Sequence, residues 1–265
     1  MNAPAGPLGL YARPTALALA LAAASLAAQA AEPLSPPGAM VRQGEWGGDV
    51  GTYLIPAPFE NKPARQWPMT DWVVLMIDHA AGTLTVRPLA ENEARQRLAP
   101  IVQQVTRAAE QPGPSELKEV SAEEAADLFV RTPGVAWQAG SVPLHRFKNG
   151  TPTLQPELGY RFQMALNGQP YAFTVQNGFR TADGRPYGSG VQFTLEIDGQ
   201  RYEYDLGGYG WEVSIGALGD FDHDGKPDFL FYIGGSNSGN EALVLSSMAK
   251  PGKNPPSAYL TAVGC

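Results

Sequence analysis

Cysteine is nearly absent from this chain of 265 residues: the one copy, Cys265, is the final residue. A disulfide within the chain is therefore excluded, and the fold has to rest on its core and on any bound ion. An intermolecular disulfide through Cys265 stays open beside the plainer reading, an idle thiol ending an edge strand. Histidine is scarce too. His79, His145 and His223 are far apart in sequence, without the short His/Cys spacings that a zinc site needs. Basic charge is in deficit, with 19 Lys and Arg against 26 Asp and Glu. No basic cluster offsets this locally, so the chain has no electrostatic pull toward nucleic acid or anionic membranes. No apolar run approaches the roughly 20 residues of a membrane-spanning helix. Phosphate-loop and dinucleotide fingerprints are missing. Gly235-Ser236-Asn237-Ser238-Gly239 has Asn where a nucleophile elbow needs its nucleophile, and no helical pattern follows.

The longest apolar run, Ala16 to Ala28, consists of Ala and Leu with a single Ser. Arg13 is the only charge among residues 1–30, and Ala28-Gln29-Ala30 supplies a small-x-small cleavage pattern. These features predict a secretory signal peptide over 1–30, cut after Ala30 or Ala31. The expected location is the periplasm or the medium. The mature chain would be one unit more negative than the −7 of the whole. Residues 31–68 are rich in Pro and Gly yet carry Trp46, Tyr53, Phe59 and Trp67, which predicts an irregular extended arm packed on a domain spanning 69–265.

Within that domain the grammar is largely that of strands. Trp72 to Ile77 is an apolar run turning at Ala81-Gly82 into Thr83 to Val86. Tyr160, Phe162, Met164 and Leu166 alternate with polar or small residues up to Asn167-Gly168, and Tyr171, Phe173 and Val175 alternate after it. Val191 to Ile197, Asp198-Gly199 and Tyr202 to Leu206 repeat the pattern. Asn-Gly and Asp-Gly select the type I′ turns that suit strand twist. Val135 to Leu144 reads as a strand interrupted at Gly140, and further strands are expected over Trp211 to Leu218, Phe229 to Ile233, Ala242 to Leu245 and Ala258 to Val263. Two short helices are expected early. One is carried by Leu98, Ile101, Val102 and Val105, with Pro100 in its first turn. The other runs from Ala122 to Val130 behind a Ser121/Glu124 capping box. The fold class is thus mainly β: antiparallel sheets in a sandwich, or a partly open barrel or propeller-like arrangement, with two inserted helices.

The most specific stretch is Asp220-Phe221-Asp222-His223-Asp224-Gly225-Lys226-Pro227-Asp228, in a loop over 219–229 that leads into Phe229-Leu230-Phe231-Tyr232-Ile233. Four carboxylates occupy positions 1, 3, 5 and 9, and Gly225 at position 6 permits a sharp turn. Unneutralised, each close pair costs about 0.8 kcal/mol at about 5 Å in water. A hard cation such as Ca²⁺ would reverse that cost, since it takes six to eight oxygen ligands. Asp220, Asp222, Asp224, Asp228 and the Lys226 carbonyl are the candidate metal ligands. An EF-hand is excluded, because position 12 is Phe231 rather than Glu.

The DxDxDGxxD spacing, followed at once by an apolar strand, resembles the calcium loop of FG-GAP/VCBS-type repeats, the integrin α-chain N-terminal kind. The resemblance covers about 25 residues and occurs once, so it does not imply a full propeller. Leu243-Val244-Leu245-Ser246-Ser247, Pro251-Gly252 and the terminal Gly264-Cys265 also resemble a group of secreted bacterial proteins with a C-terminal calcium-loop β-domain. That likeness implies fold and compartment but no activity. Where the group has a small residue between the central Asp positions, this chain has His223. The expectation is a secreted, non-enzymatic β-domain with one structural Ca²⁺. Two other readings remain open: a secreted hydrolase of polysaccharide or peptide with structural calcium, and an envelope module that binds a protein or glycan.

Overall fold

The computed structural model describes residues 36–42, 52–56, 63–110, 127–156, 159–177, 191–206, 212–234 and 238–264. The chain divides into Met1–Pro33 and Leu34–Cys265, and all described residues belong to the second unit. The expected signal peptide and its cleavage point, the Ser121/Glu124 capping box and Cys265 lie outside the described residues.

Among the described residues the architecture is mainly β, in three five-stranded sheets, and none closes into a barrel. With strands numbered in chain order, the first sheet is ordered β1 (Ala39–Arg42), β5 (Asp127–Arg131), β3 (Val73–Asp78), β4 (Thr83–Pro88), β6 (Gly140–Pro143). The second is β14 (Gly252–Asn254), β10 (Gln200–Asp205), β9 (Val191–Ile197), β8 (Gln169–Asn177), β7 (Tyr160–Leu166). The third is β11 (Glu212–Gly219), β12 (Asp228–Gly234), β13 (Ser238–Val244), β15 (Ala258–Gly264), β2 (Thr52–Pro56). All named pairings are antiparallel except β10 with β14. The stretch expected as an extended arm thus supplies β1 and β2, which edge two different sheets.

The third sheet is the middle layer, and its sequence says why. Phe229, Phe231 and Ile233 of β12 pack with Phe173, Phe193 and Leu195 of the second sheet. Leu230, from the opposite face of the same strand, packs with Val73, Leu75, Leu84 and Val130 of the first. A strand covered on both faces needs apolar residues at consecutive positions. In β7, by contrast, Arg161, Gln163 and Ala165 are exposed between half-buried apolar residues, so that strand has a single packed face. The two Asx-Gly turns form as expected: Asn167, Gly168, Asp198 and Gly199 all have φ between 49° and 80°, as type I′ geometry demands.

The helical expectations need correction. One helix, α1 (Glu91–Glu110), covers the outer face of the first sheet, where Ala94, Leu98 and Ile101 meet Trp72, Val74 and Phe129. It begins well before the expected point, with Glu91 and Glu93 in a first turn where negative charge suits the helix dipole. Pro100 consequently lies inside the helix, exposed to solvent, and not in its first turn. The second helix is overturned over 127–130, where the chain is β5; residues 122–126 lie outside the described residues. Leu128 and Val130 face the third sheet while Phe129 faces α1. Pairing with β1 and β3 on either side overrides the local preference set by a cap. Of the strand expected over Val135 to Leu144, only Gly140–Pro143 forms.

Candidate metal centre

The Asp loop joins β11 to β12, closed by the Gly219–Asp228 pair at the end of their ladder. Phe221 is fully buried among first- and third-sheet residues and pins the loop from below. His223 and Gly225 both take left-handed backbone, at φ 60° and 86°. Gly225 meets this without strain, while His223 keeps its side chain exposed. The turning backbone brings the side chains at loop positions 1, 3 and 5 to one side. Oxygens of Asp220, Asp222 and Asp224 all lie within 4.8 Å of one another. Among the described residues this is the one such group of three or more acidic, His or Cys side chains.

Internal hydrogen bonds shape the loop. The Gly225 N–H donates to Asp220 Oδ2 at 3.1 Å, Asp224 N–H to Asp222 Oδ1 at 3.3 Å and Lys226 N–H to Asp224 Oδ1 at 2.9 Å. The Lys226 ammonium lies 3.3 Å from Asp224 Oδ2, so its side chain supplies counter-charge beyond the carbonyl role expected of it. Two donors come from outside: Asn167 Nδ2 reaches Asp220 Oδ2 at 3.1 Å, and the Ser247 hydroxyl donates to Asp222 Oδ2. Asp220 Oδ1 is shielded from solvent and has no hydrogen-bond partner.

Asp228, the fourth expected carboxylate ligand, is placed differently and is not in the group of three. It is fully buried. Its Oδ2 accepts from the Phe221 N–H at 2.7 Å and the Asp222 N–H at 3.4 Å. Its Oδ1 accepts from the Ser246 N–H at 2.9 Å and the Ser246 hydroxyl at 3.3 Å. Four donors on two oxygens use the acceptor capacity of a carboxylate. In this geometry Asp228 ties the loop to the 3-10 turn over Ser246–Met248.

Burial, more than the neighbouring charges, raises two of the loop's carboxyl groups. Burial pushes the Asp222 carboxyl above its usual range; the Ser247 hydroxyl opposes that, while the charges of Asp224 and Asp220 add to it. Asp228 is driven well up by burial, then by the charge of Asp222, against the pull of backbone N–H donors from Ser246 and Phe221. The loop borders a cleft of about 440 Å³, whose walls include Pro133, Val135 and Gln138 on one side and Asp222, Asp224 and Met248 on the other.

The acidic side chains of the β9–β10 hairpin sit at the surface. Glu196 pairs with Arg161 at 3.1 Å and Glu203 with Arg201 at 2.8 Å, while Asp205 is exposed. His145 packs edge-on against Phe147 and Phe162, and burial lowers its pKa. Sequence reasoning missed Asn167 and Ser246 as site neighbours. Asn167 reads as turn chemistry alone, and Ser246-Ser247 only as part of a resemblance. The chain was compared with family models, with curated proteins and with solved structures, and none of the three comparisons found a match.

Proposed function

We propose that this is a secreted, non-enzymatic β-domain protein whose Asp loop holds one structural Ca²⁺. The observation that carries the reading is the convergence of Asp220, Asp222 and Asp224, beside which stands a solvent-shielded oxygen, Asp220 Oδ1, with no partner of its own. A desolvated oxygen left unpaired costs free energy, and a hard cation offsets both that cost and the repulsion among three carboxylates. The donor set is all oxygen, which suits Ca²⁺ and does not suit zinc or copper. The three carboxylates and the Lys226 carbonyl would hold the ion, and Asp228 would hold the loop in shape around it. The ion's work here is to stabilise the junction between β11 and β12.

Thermal unfolding of the purified protein in chelator and in millimolar calcium tests the reading, with calorimetric titration alongside. Calcium should raise the melting temperature and give a binding heat, and Asp224→Ala should abolish both. Equal melting temperatures with no heat would reduce the loop to an acidic turn. Secretion is read separately from the intact mass of periplasmic material, expected to begin at Ala31 or Glu32; a chain still carrying Met1 would refute it.

A further inference from the structure

Two of the donors on the Asp loop come from far away in sequence. Asn167 stands at the tip of the β7–β8 hairpin in the second sheet, and Ser247 in the 3-10 turn that follows β13 in the third. Each donates to the Oδ2 atom of one carboxylate, Asn167 to Asp220 and Ser247 to Asp222. On the calcium reading above, we propose that Asn167 and Ser247 are positioning residues of the metal centre, each orienting one ligand carboxylate from outside the loop. Outer partners of this kind fix the direction of a ligand, and their loss typically weakens metal affinity or activity about ten- to a hundredfold.

The choice of residue at each position supports the assignment. A type I′ turn accepts Asn, Asp or Gly at its first central position, and Asp198 fills the corresponding place in the β9–β10 turn at φ 51°. Turn chemistry therefore does not distinguish Asn167 from Asp. The partner does: an amide N–H can donate to Asp220, whereas a carboxylate would repel it. Ser247 is exposed on a short turn whose backbone asks nothing of a hydroxyl, yet that hydroxyl points back to Asp222. Both donors are neutral, so they hold the oxygens without cancelling the negative charge that attracts a cation. With the Gly225 N–H and Asn167 sharing Oδ2, Asp220 keeps Oδ1 unpaired. One ion would then tie together three segments: the β7–β8 turn, the β11–β12 loop and the turn after β13.

The test is calcium titration by calorimetry of the full chain and two variants, Asn167→Gly, which keeps the left-handed turn, and Ser247→Ala. Each variant should weaken the calcium Kd about tenfold or more, with the melting temperature in chelator unchanged. Ser247→Thr, which retains the hydroxyl, should restore the affinity. Hydrogen exchange should show calcium protecting the 160–177 hairpin in the wild type and not in Asn167→Gly. A wild type that binds calcium while both variants bind equally well would overturn the positioning role and leave the metal site standing. A wild type that binds no calcium would overturn the metal site and this role together. Because the two variants lie on different segments, misfolding of one leaves the other to decide.

Discussion

Two aspartates four residues apart in the same loop do different work. Asp224 is exposed, accepts one backbone N–H and leans on the Lys226 ammonium. Asp228 is fully buried and takes four donors from three residues. Asp224→Ala should therefore barely change the protein in chelator, and its relief of repulsion can raise stability slightly. Asp228→Asn should behave in the opposite way. Its amide presents an NH₂ to two of the donors that the carboxylate accepts, so hydrogen bonds are lost and buried N–H groups are left unpaired. The expected loss is about 2–4 kcal/mol, equal in chelator and in calcium, by denaturant unfolding. A loss confined to calcium-containing buffer would instead make Asp228 a ligand. Sequence spacing cannot separate these roles, because it shows that the carboxylates alternate but not which backbone donors lie opposite them.

At the scale of elements, the middle sheet depends on one irregularity. The β11–β12 register shifts between Ile215 and Ala217, across Gly216. The shift places Ile215 on the second-sheet side and Ala217 on the first-sheet side, as a bulge does when it re-aims a strand. A Cβ at Gly216 would lie 2.0 Å from Tyr232 Cε2. Gly216→Ala must therefore displace the ring, at a cost of about 1–3 kcal/mol. Tyr232 sits beside Arg42 and Glu241, since both perturb its hydroxyl. Arg42 of β1 and Glu241 of β13 pair at 2.8 Å across the first and third sheets, so the displacement would reach that link too. Truncating the ring should remove the clash, so Gly216→Ala with Tyr232→Ala should cost less than the sum of the two singles in urea unfolding. Simple additivity would mean that the ring moves freely. The β11 sequence announces a strand, whereas the shift appears only once the partner strands are laid beside it.

For the whole molecule, the proposed calcium ion would be a modest contributor. With a Kd of about 0.1 mM and about 1 mM free ion, mass action gives about 1.4 kcal/mol. In a domain of 150–250 residues each kcal/mol moves the melting temperature by about 2–4 °C, so a rise of about 3–6 °C is expected in the melting experiment. Most stability must come instead from the layers α1, first sheet, third sheet and second sheet, whose interfaces hold the three buried clusters. No described helix is long and apolar enough to cross a membrane, and the single cysteine leaves no disulfide within the chain to share the task.

The sequence alone determined those features that depend on neighbours along the chain. Asn167-Gly168 and Asp198-Gly199 are turns because few residues tolerate φ > 0 in succession. The alternation in β7 and β9 marks one packed face, and the spacing of Asp220, Asp222 and Asp224 brings them together on a turning backbone. Tertiary structure decided what depends on partners distant in sequence. Asp127–Arg131 is a strand because β1 and β3 flank it, and Phe229, Leu230, Phe231 and Ile233 of β12 are all buried because a sheet covers each face of that strand. Asn167, Ser246 and Ser247 meet the Asp loop across 53, 18 and 25 residues of chain. A hydrogen bond closed over such a separation leaves no periodic trace in sequence, because its geometry is set by how the layers stack.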